Sequence, residues 1–396
     1  MYKNCYVTQV FEERRVVPHH YDIHLWDDNG YSVERYIEKG YIECPEYEST
    51  HKGINGEPLK IINEWKKHKW NPDQTLKEAG TPKMHYSDHT KSNIHTKFLI
   101  EKYGINSEIS KTHREVFFDI EIEMGGALTE AYIEKAPKPI TSIAWWDKQL
   151  DEWTIVIVDK TGEIKEGTQN GREIIPVKRE NDLIEVFLSR MEAIRPDILV
   201  GYNSDYFDIP YLYYRITKKL GERQAKRLSP IGIIEKKWWH PDQKIQIAGV
   251  SSLDYMRLHK KYSFKQEPSM KLDFLGEKYV NQKKIEYKGS LDRLFKEDKQ
   301  KFIDYNFVDV LILKKLDEKF QYIDLTKNLA HKGNVTYEEV YQSSRIHDGA
   351  ISGYLLDQGI IPPAKDRNPI QKKGYAGGYL FCPKAGLYKY MFDEDL

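Results

Sequence analysis

The sequence is poor in cysteine. Its 396 residues include three cysteines, Cys5, Cys44 and Cys382, which are far apart and form no Cys-x-x-Cys pair. Disulfide-stabilised secreted domains have many closely spaced cysteines, and structural zinc sites need paired Cys or His ligands. The composition therefore disfavours both classes and predicts a protein of a reducing compartment, the cytoplasm.

Long apolar runs and an excess of charge of one sign are also missing. No apolar run approaches the roughly 18 residues of a membrane span, and the polar start lacks the apolar segment of a signal peptide. Lys and Arg together number 61, as do Asp and Glu, so the net charge is zero at pH 7. We therefore expect no membrane association, and any binding of nucleic acid must depend on local patches.

The first 50 residues have a β-rich pattern. Residues 27–30, Asp-Asp-Asn-Gly, separate the strand-like runs 21–26 and 31–37, which predicts a hairpin. Residues 51–110 mix Gly, Pro, Lys and short apolar pieces without a clear period. A chain of this length is long enough for two or three domains, and we predict a small α+β domain at its beginning.

Residues 116–122 carry the first candidate site. Apolar and polar side chains alternate there, so the segment is predicted to be a strand, with the carboxylates of Asp119 and Glu121 on one face. Adjacent carboxylates repel each other unless a cation lies between them. Oxygen ligands without Cys or His favour Mg²⁺ or Mn²⁺. An edge strand with a hydrated acidic face is the alternative that this motif leaves open.

The second candidate lies in a strand-to-helix junction. Residues 198–202 read as a short buried strand, and a helix begins around Asp208 with Pro210 in its first turn. Further predicted strands at 140–146 and 153–158, and a helix capped by Asn181 or Asp182, indicate an α/β nuclease-like domain. A simple helix cap is the alternative for Asp208.

The third candidate is a helix from about residue 301 to 319. Tyr305 and Asp309 are four residues apart, so they share one helix face. Such a face can offer a carboxylate to a metal ion and a phenol to an attacking water, although a solvated surface face remains the alternative.

A protruding hairpin is predicted where the runs 233–239 and 244–247 flank residues 240–243. The region around it is locally basic. A solvated surface explains the positive charges, and a phosphate-contacting edge is the alternative. The basic residues are Arg223, Lys226, Arg227, Lys236 and Lys237.

Taken together, the three candidates resemble a known family. Asp-x-Glu at Asp119, Asn-x-x-x-Phe-Asp ending at Asp208, and Tyr-x-x-x-Asp ending at Asp309 are similar, in this order, to the three motifs of the DEDDy exonucleases. More narrowly, the chain resembles the amino-terminal part of family B DNA polymerases of T-even-type bacteriophages. This resemblance extends from about residue 110 onwards, with segments 225–230, 252–255 and 260–264 closest to the phage branch, and is looser before residue 110.

The resemblance implies an RNase H-like 3′→5′ exonuclease domain that uses two Mg²⁺ or Mn²⁺ ions for proofreading during DNA replication. It implies that Asp119 bridges both ions, that Glu121 and Asp309 complete one site, and that Asp208 supports the other. Tyr305 is then expected to orient the water, and Asn203 and Phe207 to contact the terminal nucleotide. The implied catalytic set is Asp119, Glu121, Asp208, Tyr305 and Asp309.

The end of the sequence resembles the entry to a polymerase domain. Residues 375–378 are similar to the family's Tyr-x-Gly-Gly motif, which implies DNA contacts by Tyr375, Gly377 and Gly378. Residues 390–396 resemble the start of polymerase motif A, with Asp395 in place of its metal-binding aspartate. Because the sequence stops there, we expect a chain that cannot extend a primer by itself. A complementary polymerase chain, a sliding clamp reached through it, and a primer–template in the host cytoplasm are the expected partners.

The predicted fold class is therefore α/β, or mixed α+β. The expected domains are residues 1–110, with 330–375 packing back onto them, the exonuclease domain at 111–329, and a truncated palm at 376–396. Two other functions remain open: a non-catalytic DNA-binding and assembly subunit of a split polymerase, and an independent exonuclease that acts on RNA.

Overall fold

The structure is a computed structural model, and it describes residues 1–62, 84–85, 94–104, 108–123, 125–237 and 245–362. In these ranges no helix combines the length and the apolar character needed to cross a membrane.

Strands dominate the first third of the chain and recur through the middle. Their bounds are β1 Tyr2–Glu12, β2 Arg15–Asp27, β3 Gly30–Ile37, β4 Gly40–Glu43, β5 His51–Gly53, β6 Pro58–Ile62, β7 Met84–His85, β8 Glu115–Ile122, β9 Ile140–Asp147, β10 Glu152–Val158, β11 Gly167–Gln169, β12 Arg172–Val177, β13 Ile198–Gly201, β14 Ile234–Lys236, β15 Ile245–Ile247, β16 Ser251–Asp254 and β17 Ile360–Ile361.

Helices fill the second half of the chain. Short 3₁₀ helices at Glu46–Glu48, Lys226–Leu228 and Tyr337–Tyr341 complete the described elements. The α-helices are α1 Ile94–Tyr103, α2 Glu130–Lys135, α3 Glu180–Ile194, α4 Asp208–Leu220, α5 Glu222–Ala225, α6 Tyr255–Tyr262, α7 Leu272–Val280, α8 Leu291–Glu297, α9 Lys299–Phe320, α10 Tyr322–Gly333 and α11 Ser343–Asp357.

A seven-stranded mixed sheet organises the middle of the chain. Its strand order is β11-β12-β10-β9-β8-β13-β16, so β8 is central, antiparallel to β9 and parallel to β13. The alternative of an edge strand with a hydrated face is therefore wrong for β8. A central strand buries both faces, which explains why Val116, Phe117 and Phe118 are all buried.

The two faces of this sheet belong to different cores. Phe118 packs into a cluster with Phe187 of α3, while Phe117 packs into a cluster with Phe302 of α9. Helix α9 lies across β8 and β9 on the second face. Because side chains alternate along a strand, the face with Phe117 also carries Asp119 and Glu121. The sheet thus directs both acids towards α9.

Two smaller sheets are formed mainly by residues that precede this domain in the sequence. Strands β1, β2 and β3 form one of them, with the β2–β3 hairpin where it was predicted, and its buried face shares a core cluster with α9. The other has the order β17-β5-β6-β4-β7, in which β17 pairs in parallel with β5. This pairing supports the return of residues beyond 330 onto the first domain, whose boundaries stay a prediction.

Two details differ from the sequence-based expectations. Helix α3 begins two or three residues earlier than predicted, with Arg179 and not Asn181 or Asp182 at the N-cap position, and Asp182 lies inside the helix and pairs with Arg179. Strands β14 and β15 form the predicted hairpin, but residues 238–244 at its tip lie outside the described residues.

Candidate active site

Three of the predicted acids meet between the central strand and the long helix. Carboxylate oxygens of Asp119, Glu121 and Asp309 all lie within 4.8 Å of one another. Asp119 and Glu121 come from β8, and Asp309 comes from the middle of α9, where it is buried. The surface-face alternative for the Tyr305–Asp309 stripe is wrong, since this stripe faces β8.

The fourth acid, Asp208, reaches the same strand from α4. It is 3% exposed, and its Oδ1 accepts a hydrogen bond of 3.2 Å from the backbone N–H of Ile120, which lies between Asp119 and Glu121. Phe207 occupies the N-cap position of α4 and makes no side-chain cap hydrogen bond. Asp208 is therefore more than a helix cap, because its carboxylate joins α4 to the acidic strand.

The pKa values of three of these acids, Asp119, Glu121 and Asp208, are raised strongly. Burial, together with the charge of Asp309, raises the pKa of Glu121 to about 8. Burial raises the pKa of Asp208 to about 7. Burial and the charge of Glu121 raise the pKa of Asp119 well above its usual value. Burial is the largest cause of each shift; the charges of the other site acids add to it for Asp119 and Glu121, and the charge of Asp254 adds to it for Asp208.

A lysine that the sequence reasoning missed lies inside this cluster. Lys284, in the loop between α7 and α8, donates to Asp309 and lies 3.3 Å from the Tyr305 hydroxyl. Burial opposes its charge, but Asp309 and Tyr305 raise the pKa of Lys284 above its usual value. Nothing in the sequence distinguished Lys284 from the 61 basic residues of the chain.

A second missed residue orients Asp119. Asn306 is fully buried; its Nδ2 donates to Asp119 Oδ2 at 2.8 Å, and its Oδ1 accepts from Ser142 Oγ at 2.7 Å. Asn306 follows Tyr305 in α9, and Ser142 lies opposite Glu121 in β9. The hydrogen bonds thus fix the Asp119 carboxylate through two neighbouring elements. A polar residue within the buried stripe of α9 was the available signal.

The other predicted contact residues surround the acids. Tyr305 is 9% exposed and packs edge-to-face against Tyr287 at 5.5 Å between ring centroids. Asn203 has a left-handed backbone, with φ of 60°, in the loop that leads into α4. Phe207 ends that loop and packs on Tyr211.

The donor set fits divalent cations that prefer oxygen. Asp309 Oδ1 is buried and has no hydrogen-bond partner among the described residues, so it is an acceptor without a donor. The carboxylates of Asp119 and Glu121 lie beside it, and the single positive charge of Lys284 balances the three acids only in part. Among the described residues, Asp119, Glu121 and Asp309 are therefore suited to hold such an ion, with Asp208 beside them.

Several predicted residues cannot be placed. Tyr375, Gly377, Gly378 and Asp395 lie outside the described residues. In the basic region near the hairpin, Arg227 pairs with Glu185 and Glu192, and Lys226 pairs with Glu222. These ion pairs favour the solvated surface over the phosphate-contacting edge there.

Comparisons with known proteins identify chains that are similar in sequence. Residues 82–275 match the family model described as the exonuclease domain of DNA polymerase family B. The DNA-directed DNA polymerase of Escherichia phage RB69 is 28% identical, over 93% of this chain and 43% of that protein. The DNA-directed DNA polymerase of Enterobacteria phage T4 is 29% identical, over 56% of this chain and 25% of that protein.

A more distant relative is the DNA polymerase catalytic subunit of Elephantid herpesvirus 1, which is 27% identical over 53% of this chain and 21% of that protein. The chain spans less than half the length of these relatives. The family match lies on the part of the chain that contains β8, α4 and the loop of Asn203. These findings show that residues 82–275 are similar to the exonuclease domain of DNA polymerase family B, and that most of the chain is similar to a phage DNA polymerase.

Proposed function

We propose that this chain is a 3′→5′ exonuclease that hydrolyses the 3′-terminal nucleotides of DNA and so proofreads replication. The observation that carries the proposal is the meeting of Asp119, Glu121 and Asp309, with Asp208 on the same strand, in a chain that matches this exonuclease family. Four buried or half-buried acids, of which Asp119 and Glu121 have pKa values raised by the neighbouring carboxylates, are costly unless cations bind between them.

We assign Asp119, Glu121 and Asp309 to one Mg²⁺ or Mn²⁺ site, and Asp119 with Asp208 to a second. When bound, such a pair of ions would supply activation of the attacking water and stabilisation of the departing 3′ oxygen. Asn306 keeps the Asp119 carboxylate in one orientation, which preserves the geometry between the two sites.

Three further residues act on the substrate in this proposal. The Tyr305 hydroxyl lies one helical turn before Asp309, and we assign it to orient the attacking water, either by accepting a hydrogen bond from it or by donating one to it. Asn203 and Phe207 lie on the loop beside Asp208, and we assign them to the sugar and base of the terminal nucleotide. Lys284 offsets part of the acidic charge before DNA and metal ions bind.

The proofreading role ties the exonuclease to a polymerase. Relatives whose names identify them as DNA polymerases extend far beyond the length matched here, which supports the proposal that these 396 residues do not extend a primer alone. Polymerase sequence from outside these residues, and a sliding clamp reached through it, are the partners we propose.

The decisive experiment is digestion of 5′-labelled single-stranded DNA by the purified chain in Mg²⁺. We expect a ladder that shortens from the 3′ end, stops with EDTA, and is lost in Asp119→Ala. Asp304→Ala is the matched control, because Asp304 lies in α9 beside Tyr305 but pairs with Arg172 at 2.6 Å. This control should cleave at the rate of the unchanged protein.

Failure of the folded, unchanged chain to cleave any DNA would contradict the proposal. The non-catalytic assembly role would then be favoured. If the chain is active, Asp208→Ala should abolish cleavage while leaving any partner-dependent synthesis intact, which separates the two roles.

A further inference from the structure

Asp254 is a buried carboxylate close to the active site, and sequence analysis assigned it no function. It ends β16, is 1% exposed, and its charge is among those that raise the pKa of Asp208. It also caps helix α6, since its Oδ1 accepts from the backbone N–H of Met256 at 3.0 Å. A helix cap requires only this one hydrogen bond.

The same carboxylate makes two further hydrogen bonds, both to the loop that precedes Asp208. Oδ1 accepts from the backbone N–H of Asn203 at 2.9 Å, and Oδ2 accepts from that of Asp205 at 3.4 Å. These bonds cross about 50 residues of sequence. They contribute nothing to the cap, so they need another explanation.

The two bonds hold Asn203 itself and the residue two positions after it. Asn203 has a φ of 60°, a left-handed conformation that costs free energy for most side chains and less for asparagine. Its side chain makes no hydrogen bond with another described residue. Asp254 binds the backbone of Asn203, and the side-chain amide of Asn203 is therefore available to a ligand.

Other residues fix Asp254 and Asp205 in turn. The Arg257 guanidinium pairs with Asp205 and lies 3.8 Å above the ring of Tyr341. The Tyr341 hydroxyl accepts from the backbone N–H of Asp254 at 2.8 Å. Ser252 donates to Asp205 Oδ1 at 2.7 Å. The carboxylate that supports the loop therefore has little freedom to move.

We propose that Asp254 is a positioning residue for cleavage: its carboxylate holds the backbone of Asn203 and Asp205 so that the Asn203 amide meets the terminal nucleotide of the DNA. This inference rests on the proposed exonuclease function. Asp254 itself touches neither DNA nor the reacting atoms, and it acts through Asn203.

Two substitutions separate the cap from the loop support. Asp254→Ser keeps an oxygen that can cap α6, but this single short hydroxyl cannot also reach two loop N–H groups. Asp254→Asn keeps the shape and loses the charge. For each we expect KM for single-stranded DNA to rise about tenfold, the effect typical of a lost supporting hydrogen bond, with a much smaller change in kcat.

A double-mutant cycle tests whether the effect passes through Asn203. Asn203→Gly removes the side chain and tolerates the left-handed backbone. In that background, Asp254→Ser should leave KM unchanged, because the group it positions is gone. Asp317→Asn is the matched control, since Asp317 is also a buried carboxylate, near the end of α9, and accepts from the backbone N–H of Ile323 in α10. Its KM should equal that of the unchanged chain.

The outcomes are distinct. An inactive unchanged chain contradicts the exonuclease proposal itself. An active chain in which folded Asp254→Ser leaves KM unaltered overturns the positioning role, as does a KM effect that multiplies with that of Asn203→Gly. Should Asp254→Asn fail to fold, Asp254→Ser decides the question, because it retains the cap of α6.

Discussion

At the scale of single residues, Lys284 sets the charge balance of the active site. Its ammonium group is among the influences that lower the pKa of Asp119, Glu121 and Asp309, against the burial that raises them. Carboxylates must lose their protons before they can bind a divalent cation. The lysine therefore helps the site to accept metal at neutral pH.

Lys284→Met is expected to move the activity profile to higher pH. Without the ammonium group the three acids hold their protons more tightly, so deprotonation and metal binding need about one pH unit more. The measurement is kcat/KM from about pH 6 to about pH 9 at one Mg²⁺ concentration. Lys315→Met is the control, because Lys315 bonds to Gln282 near the same loop without contacting an acid of the site. Equal midpoints for both variants would argue against this role.

The acids of the site follow recognisable spacings in the sequence, so Asp119, Asp208 and Asp309 could be found from motifs. Lys284, Asn306 and Asp254 match no motif. Their significance comes from partners far away in the chain, and only Asn306, a polar residue in the buried stripe of α9, gave a local signal. Hydrogen bonds such as that from Asn306 to Asp119, across 187 residues, are set by the tertiary fold alone.

At the scale of elements, helices α10 and α11 approach each other through two glycines. A Cβ atom built on Gly349 would lie 1.7 Å from the backbone oxygen of Gly333, and one built on Gly333 would lie 3.0 Å from Ile346 Cα. Backbone in such contact cannot move aside as a flexible side chain can. The contact fixes how α11, and β17 after it, meets the rest of the chain.

Gly349→Ala should therefore lower the free energy of unfolding by about 3 kcal/mol, because the added methyl group forces the helices apart. Chemical denaturation measures this loss. The control is Ile351→Ala in the same helix, where the side chain is 59% exposed and the change should stay within about 0.5 kcal/mol. A Gly349→Ala protein as stable as the control would show that the helices tolerate a wider separation.

Elements with strong local patterns were predictable, and those that depend on distant pairing were not. The β2–β3 hairpin and helix α9 follow from turn residues and helical periodicity. Strands β5 and β6 have no such pattern. Strand β5 pairs with β17, some 300 residues later, and the local sequence around β5 does not indicate this pairing. The cap of α3 was misplaced because Asp182 suits both an N-cap and a first-turn position.

At the scale of the whole molecule, a buried cluster of rings joins the beginning, middle and end of the described chain. The Tyr337 hydroxyl contacts His113 Nε2 at 2.5 Å and His331 Nε2 at 3.2 Å, and His331 stacks on Tyr2 at 4.1 Å between centroids. Burial lowers the pKa of both histidines to about 4. The folded protein thus keeps them neutral where the unfolded chain binds protons.

Stability should consequently fall as the pH drops from about 6.5, the histidine pKa in unfolded chains, to about 4. We expect a loss of about 4 kcal/mol between pH 7 and pH 5 from this pair, about 2 kcal/mol from each histidine, measured by denaturation at each pH. His331→Asn should reduce that loss, whereas His347→Asn, at an exposed position, should leave it unchanged. A loss that His331→Asn does not reduce would assign the acid sensitivity to other groups.

The placement of the acids on β8 and α9 also has a consequence for biosynthesis. A ribosome delivers the chain from its amino terminus, so the first two acids appear long before the helix that brings Asp309. Until that helix docks, β8 lacks both the Asp309 carboxylate and the Asn306 amide that donates to Asp119. On the proposed function, cleavage therefore depends on a helix that the ribosome delivers well after both acids of β8.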